Sequence, residues 1–155
     1  MKKDEVREML YAVDSARRRM MKPYFLKIGL TIGQGQPRIL RYLYEREPMT
    51  QRELADACHL DAATMSRTLD RLEEAGLLCR TPKPGCRRSY HIMLTDAGRA
   101  KAQQVVRGFQ TVDDAIWKGI PENEMKPMLD TLKKVCANLE SAEKEMERIE
   151  FDTEK

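Results

Sequence analysis

The chain contains no run of 18 or more apolar residues, so no segment reads as a membrane-spanning helix. Its N-terminus, MKKDEVREML, places acids where a signal peptide carries its apolar core, and a soluble cytoplasmic protein is expected. The four cysteines, Cys58, Cys79, Cys86 and Cys136, lie far apart with no secretory signal, which argues against structural disulfides. There are two histidines, His59 and His91, and no Cys-x-x-Cys or His-x-x-x-His spacing that would gather ligands on one face, so no metal is expected. A Gly-rich phosphate loop, a nucleophile elbow and a close pair of carboxylates beside a histidine are also missing, so neither catalysis nor a cofactor is expected.

What remains is a globular composition, 41% hydrophobic and 34% charged over 155 residues, the size of one ordinary domain. The formal net charge of +3 conceals an uneven distribution. From Glu140 onward there are seven acids and three bases, leaving residues 1–139 with 25 bases against 18 acids. A positive excess of that size attracts polyanions without selecting one.

The stretch from Thr50 to Gly98 organises the chain. Thr50 and Glu53 have the spacing of a capping box, which starts a helix whose apolar positions are Leu54, Ala55 and Cys58. Leu60 holds the corner that follows, and Asp61 is a second N-cap. The next helix buries Met65, Leu69 and Leu72 and stops at Gly76. Its other face carries Thr64, Ser66, Arg67, Asp70 and Arg71. Two helices joined by a tight corner, the second with small polar residues and outward arginines, have the form of a helix-turn-helix that can enter a major groove. Thr64 and Ser66 would supply hydrogen bonds to phosphate or base edges, with Arg67 and Arg71 reading bases, and Thr50 joins this DNA-binding set.

Residues 77–81, the turn 82–85 and residues 86–94 then read as strand, turn and strand. Arg80, Lys83, Arg87 and Arg88 lie here, with no acid between Gly76 and Asp96. A cationic hairpin beside a helix-turn-helix is a wing, suited to phosphates and to the minor groove, and one of Arg87 and Arg88 is expected to reach the DNA.

Outside this module, Val6, Met9, Leu10, Val13, Ala16 and Met20 follow helical spacing from Asp4 to about Lys27, with Pro23 expected to bend or interrupt that helix. The cluster Arg17, Arg18 and Arg19 reads as a solvated helix face. Pro37 opens a helix that buries Ile39, Leu40, Leu43 and Tyr42 and ends at Glu47-Pro48. Thr95 caps a helix with an apolar face of Ala102, Val105, Phe109, Val112 and Ile116. After Pro121 a last helix repeats Met128, Leu129, Leu132, Val135, Cys136 and Leu139, with Pro127 either shifting its start or kinking it. The fold class is mainly α with a small β-hairpin wing, laid out as one domain over 1–155. The winged helix-turn-helix occupies 36–95, and 1–30 with 96–150 form a flanking helical part. Those helices offer more apolar surface than the module can cover, which points to a homodimer; an intramolecular bundle is the alternative.

The run Leu30-Thr31 with Ile39-Leu40, then Thr50-x-x-Glu53-Leu54-Ala55, Ser66-Arg67-x-x-Asp70-Arg71-Leu72-x-x-x-Gly76-Leu77, Arg87-Arg88 and Leu94-Thr95-x-x-Gly98 resembles the MarR family of bacterial transcriptional regulators. The resemblance implies a homodimeric winged helix-turn-helix repressor on double-stranded DNA, whose affinity falls when a small phenolic or lipophilic effector binds or a cysteine is oxidised. Two recognition helices on one DNA face imply a pseudo-palindromic operator. The resemblance also places a mostly apolar effector crevice beside Met20, Tyr24, Arg41 and Tyr42. One departure stands out: the family's aspartate before the paired arginines of the wing is Cys86 here. Beside two guanidinium groups, Cys86 is a candidate for oxidation. Two other readings stay open: a winged-helix module that binds protein, and a thiol-based redox repressor.

Overall fold

A computed structural model describes the backbone of residues 2–153, and their side chains except at Arg87, Arg88 and 149–153. The order is α1 (Lys3–Lys27), α2 (Gln36–Arg46), α3 (Gln51–Cys58), α4 (Ala62–Glu74), β1 (Leu78–Lys83), β2 (Cys86–Leu94), α5 (Asp96–Trp117) and α6 (Glu122–Thr153). The chain divides into two compact units, Met1–Asp114 and Ala115–Lys155. The boundary between these units falls inside α5, and Ala102, Val105 and Val112 of α5 belong to the same buried core as residues of α2, α3 and α4.

In the first unit α1 runs unbroken through Pro23, where a bend or interruption was expected. The missing N–H and the ring clash cost about 3 kcal/mol, and burial of Met21 and Phe25 on either side offsets this at roughly 1.5–3 kcal/mol each. Ile39, Leu40 and Leu43 of α2 are fully buried, whereas Tyr42 is only half-buried.

Local signals set the helix-turn-helix. The Thr50 hydroxyl accepts from the Glu53 amide at 3.3 Å, and the Glu53 carboxylate accepts from the Thr50 amide at 2.7 Å, completing the capping box. Leu60 packs onto Gly35, where a β-carbon would lie 2.8 Å from a Leu60 methyl, so the corner is tied to the loop before α2. Thr68, the one buried polar residue among the described residues, donates its hydroxyl to Thr64 O at 2.8 Å and lies 3.1 Å from Gln34 O. It thereby joins α4 to the same loop.

The hairpin turns more tightly than the sequence suggests. β1 continues through Pro82 to Lys83, leaving Pro84 and Gly85 as the turn, with Gly85 at φ 79°. A two-stranded sheet has room for a proline, because an edge strand can spare one N–H. The register breaks between Pro82 and Lys83.

The second unit contains the end of α5, a turn through Gly119 and α6. α6 begins at Glu122 and passes through Pro127 without a break. Its apolar positions Met128, Leu129 and Leu139 are exposed.

Candidate nucleic-acid interface

Beside α3 and the hairpin lies an open groove of about 790 Å³. Its walls include Thr50, Gln51 and Arg52 at the start of α3 and Lys83, Ser89 and Tyr90 on the hairpin. Arg52, Lys83 and Tyr90 are exposed. Cations and an aromatic side chain around a concavity are suited to a phosphate backbone. Arg52 and Tyr90 were not singled out from the sequence. Arg52 sits within a capping box among ordinary helix-face charges, and Tyr90 reads as a strand residue until the hairpin register turns it outward.

The first turn of α4 forms a relay of hydrogen bonds. The Asp61 carboxylate accepts from the Thr64 amide at 2.8 Å and from the Thr64 hydroxyl at 2.7 Å. These bonds hold the Asp61 carboxyl below its usual value. The Thr64 oxygen in turn accepts from Arg67 Nη2 at 3.4 Å. The Thr64 proton is therefore already committed to Asp61, and the residue helps to orient Arg67. Thr50 is similarly engaged, its hydroxyl donating to Glu53 Oε2 at 2.8 Å. Glu53 is also held below its usual value, first by the Thr50 amide and then by the Thr50 hydroxyl. Ser66 is half-buried, while Arg67 and Arg71 are exposed and form no ion pair among the described residues.

Arg80 departs from the uniform cationic face read from the sequence. Its guanidinium pairs with Asp70 at 2.7 Å and also with Glu73, both on α4, and its side chain is 20% exposed. Glu47 is a residue that sequence reasoning missed. Its carboxylate accepts from the Leu94 amide at 2.7 Å and pairs with Arg99, pinning the root of the hairpin to the end of α2. Cys86 is exposed at the hairpin tip, in register with Lys83. The side chains of Arg87 and Arg88 lie outside the described residues.

The four candidate effector residues separate into two pairs. Met20 and Tyr24 line a small cavity of about 70 Å³ with Phe25, Gly108 and Thr111. Tyr24 lies against Gly108, where a β-carbon would be 2.4 Å from its ring, and donates its hydroxyl to Gln104 O at 2.7 Å. Arg41 instead stacks over Tyr42 at 4.7 Å and over Phe109 at 5.4 Å. Its buried Nε has no hydrogen-bond partner among the described residues, the nearby Glu45 oxygen being 3.7 Å away. On α1, Asp14 receives both Arg17 and Arg18 at 2.7 Å, and these two guanidinium groups hold its carboxyl low. Arg18 and Arg19 are exposed, as expected of a solvated helix face, whereas Arg17 is half-buried and lies 3.3 Å from the sulfur of buried Met21.

Residues 32–90, which hold α2, the helix-turn-helix and most of the hairpin, match the sequence pattern of the MarR family. The winged helix-turn-helix of this chain thus resembles that of the MarR family. Members of that family are transcriptional regulators and not enzymes. The chain is 25% identical over 112 residues to the HTH-type transcriptional regulator YdgJ of Bacillus subtilis (strain 168), covering 72% of this chain and 68% of that protein. It superposes on apo MarR from E. coli with a TM-score of 0.66 at 25% identity, covering 83% of this chain and 94% of that one. The fold is likewise that of MepR in the S. aureus MepR–DNA complex, with a TM-score of 0.77 at 22% identity and coverages of 85% and 96%. None of the described helices is long and apolar enough to cross a membrane.

Proposed function

We propose that the chain is a homodimeric, sequence-specific DNA-binding regulator that represses transcription by occupying a pseudo-palindromic operator. The observation that carries this reading is a groove bordered by Arg52, Lys83 and Tyr90 that reaches Ala62 at the start of α4, the helix on which Arg67 and Arg71 are exposed. A recognition helix in the major groove brings such a groove against the adjoining phosphates, and Arg87 and Arg88 would follow the strand to the minor groove. Thr50, Thr64 and Ser66 complete the set, the two threonines acting mainly by fixing their helix N-termini. The test is selection from a random pool of duplex DNA. The expected product is an inverted repeat with half-sites about one helical turn apart; an unenriched pool would remove the reading.

Unpaired apolar stripes support the dimer. On α1, Val6, Met9, Leu10 and Val13 recur at helical spacing, each at least 42% exposed. On α6, Met128, Leu129 and Leu139 are exposed. A self-complementary contact between identical chains covers such stripes. Sedimentation at micromolar concentration should give twice the chain mass, and a monomer would contradict it.

Release by a small aromatic effector follows from the Met20 and Tyr24 cavity. At about 70 Å³ it is smaller than the ~150 Å³ that holds benzene, so an aromatic acid would enter only as Tyr24 swings off Gly108. Thermal stabilisation by small aromatic acids that disappears in Tyr24→Ala supports this site; stabilisation unchanged in that variant excludes it. The exposure of Cys86 favours redox control as a second reading. A gel shift lost with peroxide and regained with reductant, but insensitive in Cys86→Ser, would establish it, whereas equal behaviour of the two proteins would dismiss it.

A further inference from the structure

The hairpin is anchored at its root. Leu78, Ile92 and Leu94 are buried, and Met49 adds a one-residue bridge, with Ile92 N donating to Met49 O at 2.8 Å. Further out, residues 81–86 are exposed, and a two-stranded hairpin has little stability of its own. From the rung pairing Arg80 with Ile92 outward, Arg80 is the one side chain among the described residues that hydrogen-bonds the hairpin to a helix.

That contact is two-pronged. Nη2 donates to Asp70 Oδ1 at 2.7 Å, and Nη1 donates to Glu73 Oε2. A planar guanidinium held by two carboxylates three residues apart fixes an orientation, which a single ammonium contact does not. Both carboxylates lie on the helix that presents Arg67 and Arg71.

We propose that Arg80 is a positioning residue for DNA binding: by gripping Asp70 and Glu73 it sets the angle between hairpin and α4, so that the cations of both meet one duplex. The inference rests on the DNA-binding reading above. It gives Arg80 a role distinct from that of the exposed arginines: Arg80 borders the groove, yet Nη1 and Nη2 both donate to carboxylates of α4. It also accounts for two acids on a helix that faces a polyanion, where unpaired carboxylates would oppose binding.

The test uses the duplex that the wild-type protein selects from a random pool, with binding followed by fluorescence anisotropy across a salt series. The variants are Arg80→Met, a hairpin lacking cations (Lys83→Ala, Arg87→Ala, Arg88→Ala), the two combined, and Asp70→Asn with Glu73→Gln. Melting curves establish that each is folded, and Arg80→Lys, which keeps the charge but loses the fork, replaces any unfolded Arg80→Met. Arg80→Met should bind about tenfold more weakly when the hairpin is intact but less than about twofold more weakly when its cations are gone, since coupled residues are not additive. The double carboxylate variant should also bind more weakly, although it removes negative charge from the DNA-facing side. Equal losses in both hairpin backgrounds, with a salt slope reduced by about one, would make Arg80 a direct phosphate contact and overturn the inference. Unchanged binding by Arg80→Met, or tighter binding by the carboxylate variant, would overturn it too. A wild-type protein that selects no duplex removes the DNA-binding reading itself.

Discussion

A β-carbon on Gly98 would lie 1.7 Å from the carbonyl oxygen of Leu77. Gly98 stands in the first turn of α5, and its amide donates to the Thr95 hydroxyl at 3.0 Å, while that hydroxyl donates to Gly76 O at 2.6 Å. The entry to the hairpin and the exit from it are thus clamped together through backbone, with no flexible side chain to yield. Gly98→Ala should therefore destabilise the protein by about 3 kcal/mol or more, the upper end of overpacking costs. Thermal melting checks this, and a wild-type melting temperature would mean that the two segments do not pack this closely.

The two N-caps predict acid sensitivity. Glu53 and Asp61 are held below their ordinary values of 4.5 and 3.8 by hydrogen bonds made only in the folded state. Groups with depressed folded-state values stabilise fully above their unfolded values, and that contribution is lost as pH falls through the folded ones. Stability should decline below about pH 4.5, and Glu53→Gln should flatten the decline. Thr50→Ala removes one cap and should cost about 0.5–2 kcal/mol at neutral pH. Melting curves taken across the acid range test both statements.

The four thiols should divide three to one. Cys58 is buried in the core, and burial pushes its thiol up to about 11, so at neutral pH it is protonated and shielded. Cys79, Cys86 and Cys136 are exposed. Brief alkylation of the native protein followed by peptide mass mapping should modify those three and spare Cys58. Modification of Cys58 at a similar rate would show that the core opens readily.

These features differ in how far a sequence can reveal them. The capping box at Thr50, the stop at Gly76 and the buried Met65, Leu69 and Leu72 depend on neighbours within a few residues, so spacing alone was enough. The role of Arg80 depends on partners 7 and 10 residues away across a corner, and a count of charges does not separate it from the other cations of the hairpin. Glu47 reaches Leu94 over 47 residues, beyond any local signal. The family resemblance sets Met20 and Tyr24 beside one crevice with Arg41 and Tyr42, but the faces of α1 and α2 that carry them direct the pairs to different neighbours. Pro82 reads as a turn residue, yet an edge strand accommodates it.

We propose that α4 reads DNA with Arg67 and Arg71 while the surrounding cations hold the backbone. The measurement that tests it most directly is the dissociation constant for the selected duplex as a function of salt, for wild type, Arg67→Ala and Arg71→Ala. Wild type should lose affinity steeply with salt, about 0.9 log units per log unit for each phosphate neutralised, and each alanine variant should lose about 1–3 kcal/mol with relaxed discrimination at one base position. Binding by wild type that is indifferent to salt, or variants that match it in affinity and discrimination, would contradict the account.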